Sequence, residues 1–143
     1  MVSAGKVKNR FVADGIEEYK KRISPFARLE LVDLKKGFSR DSRRGEASRN
    51  KVPNSKARGG LTVALHPAGR QVSSEEFAEF LRGREAVDFL IGGPEGLPDH
   101  IVESSDISLS LSKLTFTGEL SKLILIEQIY RALTILNNRP YHR

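Results

Sequence analysis

Few residues of this chain are equipped for chemistry. Cysteine is absent, and the three histidines, His66, His100 and His142, lie far apart without metal-ligand spacing. Disulfides, thiolate metal sites and a cysteine nucleophile are thereby excluded, and no metal is expected. Neither a Gly-x-Ser-x-Gly elbow, a Walker loop nor a Gly-x-Gly-x-x-Gly turn occurs, which removes the usual signatures of hydrolases, phosphoryl transfer and dinucleotide binding. What remains is Gly92-Gly93-Pro94-Glu95-Gly96, directly after the apolar run Val87-Asp88-Phe89-Leu90-Ile91. Glycines at the carboxyl end of a strand let the backbone approach a ligand closely, and Pro94 stiffens the turn. An ordinary tight turn would use the same residues.

Two further stretches invite a ligand. Leu111-Ser112-Lys113-Leu114-Thr115-Phe116 mixes apolar and hydroxyl side chains, suited to wall a flat ring, although plain strand and loop would read alike. The tail Asn137-Asn138-Arg139-Pro140-Tyr141-His142-Arg143 combines an aromatic ring, an imidazole and two guanidiniums, groups that stack on bases and grip phosphates. A frayed terminus is the competing reading.

Charge points the same way. The net charge of +6 is concentrated in a segment, 35–60, where nine Lys and Arg residues from Lys35 to Arg58 face only Asp41 and Glu46. Such a patch suits a polyanion, since neutralised phosphates release counterions; Arg43, Arg44, Arg49 and Lys51 are its candidate RNA contacts. A solvated loop that aids solubility would carry the same charges. No apolar run approaches the roughly 20 residues of a membrane span, so a soluble, cytoplasmic protein without membrane contacts is expected.

The elements that must position these groups follow from periodicity. Phe11, Val12, Ile16, Tyr19 and Ile23 predict an amphipathic helix over about Lys8 to Ser24, closed by Pro25. Met1 to Ala4 is barely long enough for a strand; Leu29 to Leu34 alternates as one. Leu61 to Leu65, Val87 to Ile91 and Ile107 to Leu111 read as further strands, separated by a helix opened by the capping box Ser73-x-x-Glu76 and by a short helix at His100 to Ser104. Strands alternating with helices imply one α/β domain, residues 1–143, with a parallel sheet. The last helix, about Glu119 to Leu136, is apolar nearly all round and needs cover on several sides, from a second subunit or from a deep position in its own chain.

Four motifs in order, Ile91-Gly92-Gly93-Pro94-Glu95-Gly96, Ser110-Leu111-Ser112-Lys113-Leu114-Thr115, Glu127-Gln128-Ile129-Tyr130-Arg131-Ala132 and Asn138-Arg139-Pro140-Tyr141-His142-Arg143, make the chain resemble the RlmH-type ribosomal RNA methyltransferases of the SPOUT superfamily. Gly5-Lys6, Asp14 to Tyr19 and Ser73 to Phe77 extend the likeness over nearly the whole chain, with segment 35–60 poorly matched. The resemblance implies a homodimer with a trefoil knot in its C-terminal part. It also implies use of S-adenosyl-L-methionine to methylate N3 of a pseudouridine in 23S ribosomal RNA, on the assembled ribosome, without metal. Carried over by motif, cofactor contacts fall on Leu65, Gly92, Gly93 and Leu111 through Phe116 (Leu111, Ser112, Lys113, Leu114, Thr115, Phe116). Arg131, Tyr141, His142 and Arg143 fall at the methyl-transfer centre, His142 as base or proton relay and Arg131 or Arg143 stabilising the developing anion.

The departures are specific. The first strand is shorter than usual, which would weaken one edge of the sheet. Thr117-Gly118 stands where relatives usually show Pro-His, Lys122 where they show arginine, and His66 where they show aspartate. The rival reading is a catalytically idle knotted RNA- or ribosome-binding protein, which would need the basic segment but not an intact cofactor loop.

Overall fold

The computed structural model describes residues 1–34 and 60–142. Arg43, Arg44, Arg49, Lys51 and Arg143 lie outside the described residues. In chain order the elements are β1 (Val2–Ala4), α1 (Arg10–Ile23), β2 (Val32–Leu34), β3 (Leu61–Arg70), α2 (Ser74–Leu81), β4 (Val87–Ile91), α3 (Asp99–Ser104), β5 (Ile107–Leu109) and α4 (Gly118–Leu136). The strands form one parallel sheet in the order β2-β1-β4-β3-β5. The α/β reading therefore holds. The short β1 is not at an edge: it lies between β2 and β4, and the edge strands are β2 and β5.

Alternation along the strands sorts side chains to the two faces. Val63, Phe89, Ile91 and Leu109 join Val12, Ile16, Phe77, Leu125, Ile126 and Ile129 in the main core beneath α1, α2 and α4, while Ala64 and Leu90 meet Leu97 and α3 residues on the other face. The period of two along a pleated strand dictates this split. On α1 the buried stripe is Val12, Ile16 and Ile23. Phe11, counted with that stripe in the sequence, instead points to solvent at 60% exposure, because one residue is a 100° step around a helix.

Helix α2 opens with the expected capping box: the Glu76 N–H donates to Ser73 Oγ at 3.1 Å, and the Ser73 N–H to Glu76 Oε2 at 2.8 Å. Helix α4 packs against both α1 and α2, so much of its apolar circumference is covered within its own chain. Strand boundaries moved. β2 is only three residues, and β5 ends at Leu109, so the hydroxyl-rich residues after it form a loop. β3 runs five residues beyond Leu65, shifting register so that Leu65 and Arg70 both pair with Leu109. Gly69 permits this, since a Cβ there would sit 2.6 Å from the Leu109 carbonyl carbon. Among the described residues no helix is long and apolar enough to cross a membrane.

Candidate functional site

Because every strand is parallel, their carboxyl ends share one edge, where open α/β sheets bind ligands. There Gly5, Leu65, Ile91 and Leu109 open onto a cleft of about 1890 Å³. That exceeds the roughly 300–1,000 Å³ of a single small-molecule pocket, leaving room for more than one occupant. All nine residues expected at the cofactor, Leu65, Gly92, Gly93 and Leu111 through Phe116, line this one cleft.

The glycine-rich loop folds onto itself. The Gly96 N–H donates to the Gly93 carbonyl at 2.9 Å, and Gly96 takes φ +79°, a conformation natural to glycine. A Cβ on Gly92 would lie 2.2 Å from the Gly96 carbonyl carbon and 2.5 Å from the Leu97 nitrogen. The absence of a side chain at Gly92 thus serves loop closure first, and buried Leu97 pins the loop to Ala64 and Leu90.

The opposite loop is braced by its own hydroxyls. Ser110 Oγ donates to the Ser112 carbonyl at 3.0 Å, and Ser112 Oγ accepts from the Leu114 N–H at 3.0 Å. Leu111, Ser112 and Phe116 are half-buried, whereas Lys113, Leu114 and Thr115 are exposed. Thr117 caps α4, its Oγ1 accepting from the Leu120 N–H at 3.3 Å, which accounts for a hydroxyl residue at that departure from the family pattern. The His66 Nδ1 accepts from the Ala68 N–H at 3.2 Å; a neutral ring so held carries its proton on Nε2.

A third wall, from Gly5 to Phe11, is tied to the first turns of α4. The Glu119 carboxylate accepts from the backbone N–H groups of Lys8 and Asn9 at 3.0 and 2.9 Å, bonds that hold its pKa below the ordinary carboxylate value. Nearly buried Lys122 donates from Nζ to the Gly5 carbonyl and lies 3.8 Å from Asp33 Oδ1.

The residues expected at the transfer centre gather elsewhere. Asn138, with φ 52°, turns the chain after α4, and the Arg139 N–H closes the helix on the Thr134 carbonyl at 2.8 Å. The tail then folds back. Tyr141 meets Tyr130 at 4.7 Å between ring centroids, and the Arg131 guanidinium stands 4.8 Å from the Tyr141 ring centre. Glu127 Oε1 accepts from Arg131 Nη2 at 2.7 Å and from the Tyr141 hydroxyl at 3.2 Å, and the Tyr19 hydroxyl is 3.3 Å from that of Tyr141. Burial, then the Tyr19 hydroxyl and the Glu127 charge, push the Tyr141 phenol well above its usual pKa, so it stays a neutral donor. The His142 Nε2 meets Glu75 Oε1 at 2.7 Å, while its Nδ1 is buried without a partner among the described residues. Glu127, Tyr19 and Glu75 were given no site role from sequence. Of these only Glu127 carried a local signal, its i,i+4 spacing to Arg131.

The family described as "Predicted SPOUT methyltransferase" matches residues 1–142. The chain belongs to the SPOUT methyltransferase family. It is similar to the protein named ribosomal RNA large subunit methyltransferase H of Thermodesulfovibrio yellowstonii, 41% identical over 96% of this chain and 93% of that relative. The proteins of the same name from Acetivibrio thermocellus and Carboxydothermus hydrogenoformans are each 36% identical, with 100% of this chain and 98% of each relative covered.

In this SPOUT methyltransferase the two clusters are held apart by one rigid element. The cleft includes the first turns of α4 as far as Lys122, and Arg131 lies nine residues further along the helix. At 1.5 Å per residue that is about 14 Å. One chain does not bring Arg131, Tyr141 and His142 to its own cleft.

Proposed function

We propose that this methyltransferase transfers the methyl group of S-adenosyl-L-methionine to N3 of a pseudouridine in 23S ribosomal RNA, on the assembled large subunit. The names of the relatives support the substrate class, and the spacing of the two clusters along α4 carries the reading. A homodimer, knotted in its C-terminal part, would set the tail of one subunit over the cleft of its partner.

The cleft suits the donor by chemistry. Half-buried Leu65, Leu111 and Phe116 offer apolar walls to an adenine ring, and the loops at Gly92-Gly93 and Leu111 through Phe116 offer backbone groups to its polar edge. Bound there, the donor supplies a methyl already activated by its sulfonium, so no metal is needed. The protein's task is to align the acceptor and remove the weakly acidic imide proton. His142, positioned by the contact of its Nε2 with Glu75 at 2.7 Å, is the candidate base or proton relay for that step. The Arg131 guanidinium, fixed by Glu127, stabilises the anion that develops, with Arg143 sharing this role, while Tyr141 donates a hydrogen bond. Arg43, Arg44, Arg49 and Lys51 would hold RNA phosphates.

Mixed dimers test the shared site. One subunit is truncated after Pro140 and the other carries Leu111→Arg in the cleft wall, with thermal unfolding used to confirm that each folds. Each parent should be inactive on large subunits from cells lacking the gene, and the mixture should recover methylation, read by mass mapping of the RNA. A mixture as inactive as its parents would overturn the shared site. Methyl found on another atom or another nucleotide would overturn the substrate assignment.

A further inference from the structure

Among the described residues only two large hydrophobic side chains are left exposed, Phe11 at 60% and Leu114 at 74%. Both line the cofactor cleft. Phe11 does not project from a frayed end. It occupies the first turn of α1, where its N–H donates to Asn9 Oδ1 at 3.2 Å, and the two residues before Arg10 are clamped by Glu119. A rigid backbone thus presents a bare aromatic face at the cleft mouth.

The stretch leading to that ring is basic: Lys6, Lys8 and Arg10 are exposed in it, against the Glu119 carboxylate that its backbone holds, and exposed Lys113 adjoins Leu114 on the facing loop. Asp14 lies 3.8 Å from Arg10, but side-chain exposures of 94% and 74% leave this pair with little hold. Exposed aromatics interleaved with lysines are what single-stranded or looped RNA requires, a flat surface for a base and charges for the phosphates.

We propose that Phe11 is a stacking platform for a base next to the target nucleotide, with Lys6 and Lys8 gripping the adjoining phosphates. This rests on the ribosomal RNA reading above and names where that RNA enters the cleft. Charge separates it from the alternative that a second copy's tail covers the ring. That tail carries Arg139, His142 and Arg143, cations that do not complement Lys6 and Lys8 even where the tail lies over the cleft, whereas a polyanion with open base faces complements both lysines and ring.

The test uses the full chain, large ribosomal subunits from cells lacking the gene, and a pseudouridine-containing RNA hairpin. Phe11→Ala should raise the hairpin Kd and the subunit KM roughly 5- to 150-fold, the effect of one lost base stack. Sedimentation should be unchanged, and Phe11→Trp should restore binding. Lys6→Glu with Lys8→Glu should lower the slope of log affinity against log salt by about one to two. RNA affinity of Phe11→Ala equal to the unsubstituted chain's, while that chain methylates normally, overturns this inference alone. Conversion of Phe11→Ala to a monomer assigns the ring to the contact between copies and also overturns it. Failure of the unsubstituted chain to methylate the subunit removes the functional reading, and this inference with it.

Discussion

Replacing Gly92 by alanine adds one methyl group where the structure has no room for it. The new Cβ would stand 2.2 Å from the Gly96 carbonyl carbon, 2.5 Å from its oxygen and 2.5 Å from the Leu97 nitrogen, against ordinary contacts of 3.4 Å or more. All three neighbours are backbone, so the loop must withdraw by about 1 Å. That movement strains the Gly96-to-Gly93 hydrogen bond, worth about 1 kcal/mol. It also lifts Leu97 from Ala64 and Leu90, forfeiting part of the roughly 1.5–3 kcal/mol that a buried leucine contributes. A destabilisation of about 2–3 kcal/mol is expected, which for a chain of this size lowers Tm by roughly 6–15 °C. Circular dichroism melts at fixed protein concentration measure this, and calorimetry well below the transition should show weakened binding of S-adenosyl-L-methionine. Gly118→Ala is the control, because no heavy atom lies within 4 Å of its Cβ and alanine favours the helix; its Tm should stay or rise slightly. A Gly92→Ala protein that melts with the unsubstituted chain and binds the donor equally well would refute this account of the loop.

Glu127→Gln removes the charge that holds Arg131 and Tyr141, so the tail should be cleaved faster by protease and stability should fall by about 1–3 kcal/mol. With a nearby negative charge gone, the Tyr141 phenol should titrate at lower pH, read by ultraviolet absorbance against Tyr141→Phe. Glu119 has a pKa held below its ordinary 4.5 by the Lys8 and Asn9 N–H groups, so its stabilising effect is complete above that value and lost as pH falls through the lowered one. Glu119→Gln should accordingly melt below the unsubstituted chain at neutral pH, and the gap should close in acid; a gap independent of pH would show that the clamp does not depend on the charge.

Much of this molecule was legible as a string of residues. Ser73-x-x-Glu76 announced its helix, because a capping box satisfies backbone donors within four residues. Val87 to Ile91 ending at Gly92 announced a strand and its turn, because apolar runs and glycine act locally. The nine cleft residues could be named because their motifs keep fixed order and spacing. Sequence also showed that Glu127 and Arg131 sit one helical turn apart. It did not show that Tyr141 returns to them, since that depends on the Asn138 turn and on Tyr19, 122 residues away from Tyr141. Nor could it place β1 inside the sheet, extend β3 to Arg70 past the Leu109 backbone, or turn Phe11 away from the core, because each outcome is decided by neighbours remote in the chain. Local patterns determine which elements form and which groups they carry. Only tertiary packing decided that the cleft loops meet the first turns of α4 while Tyr141 folds back on Glu127 and His142 on Glu75, because those partners are remote in the chain.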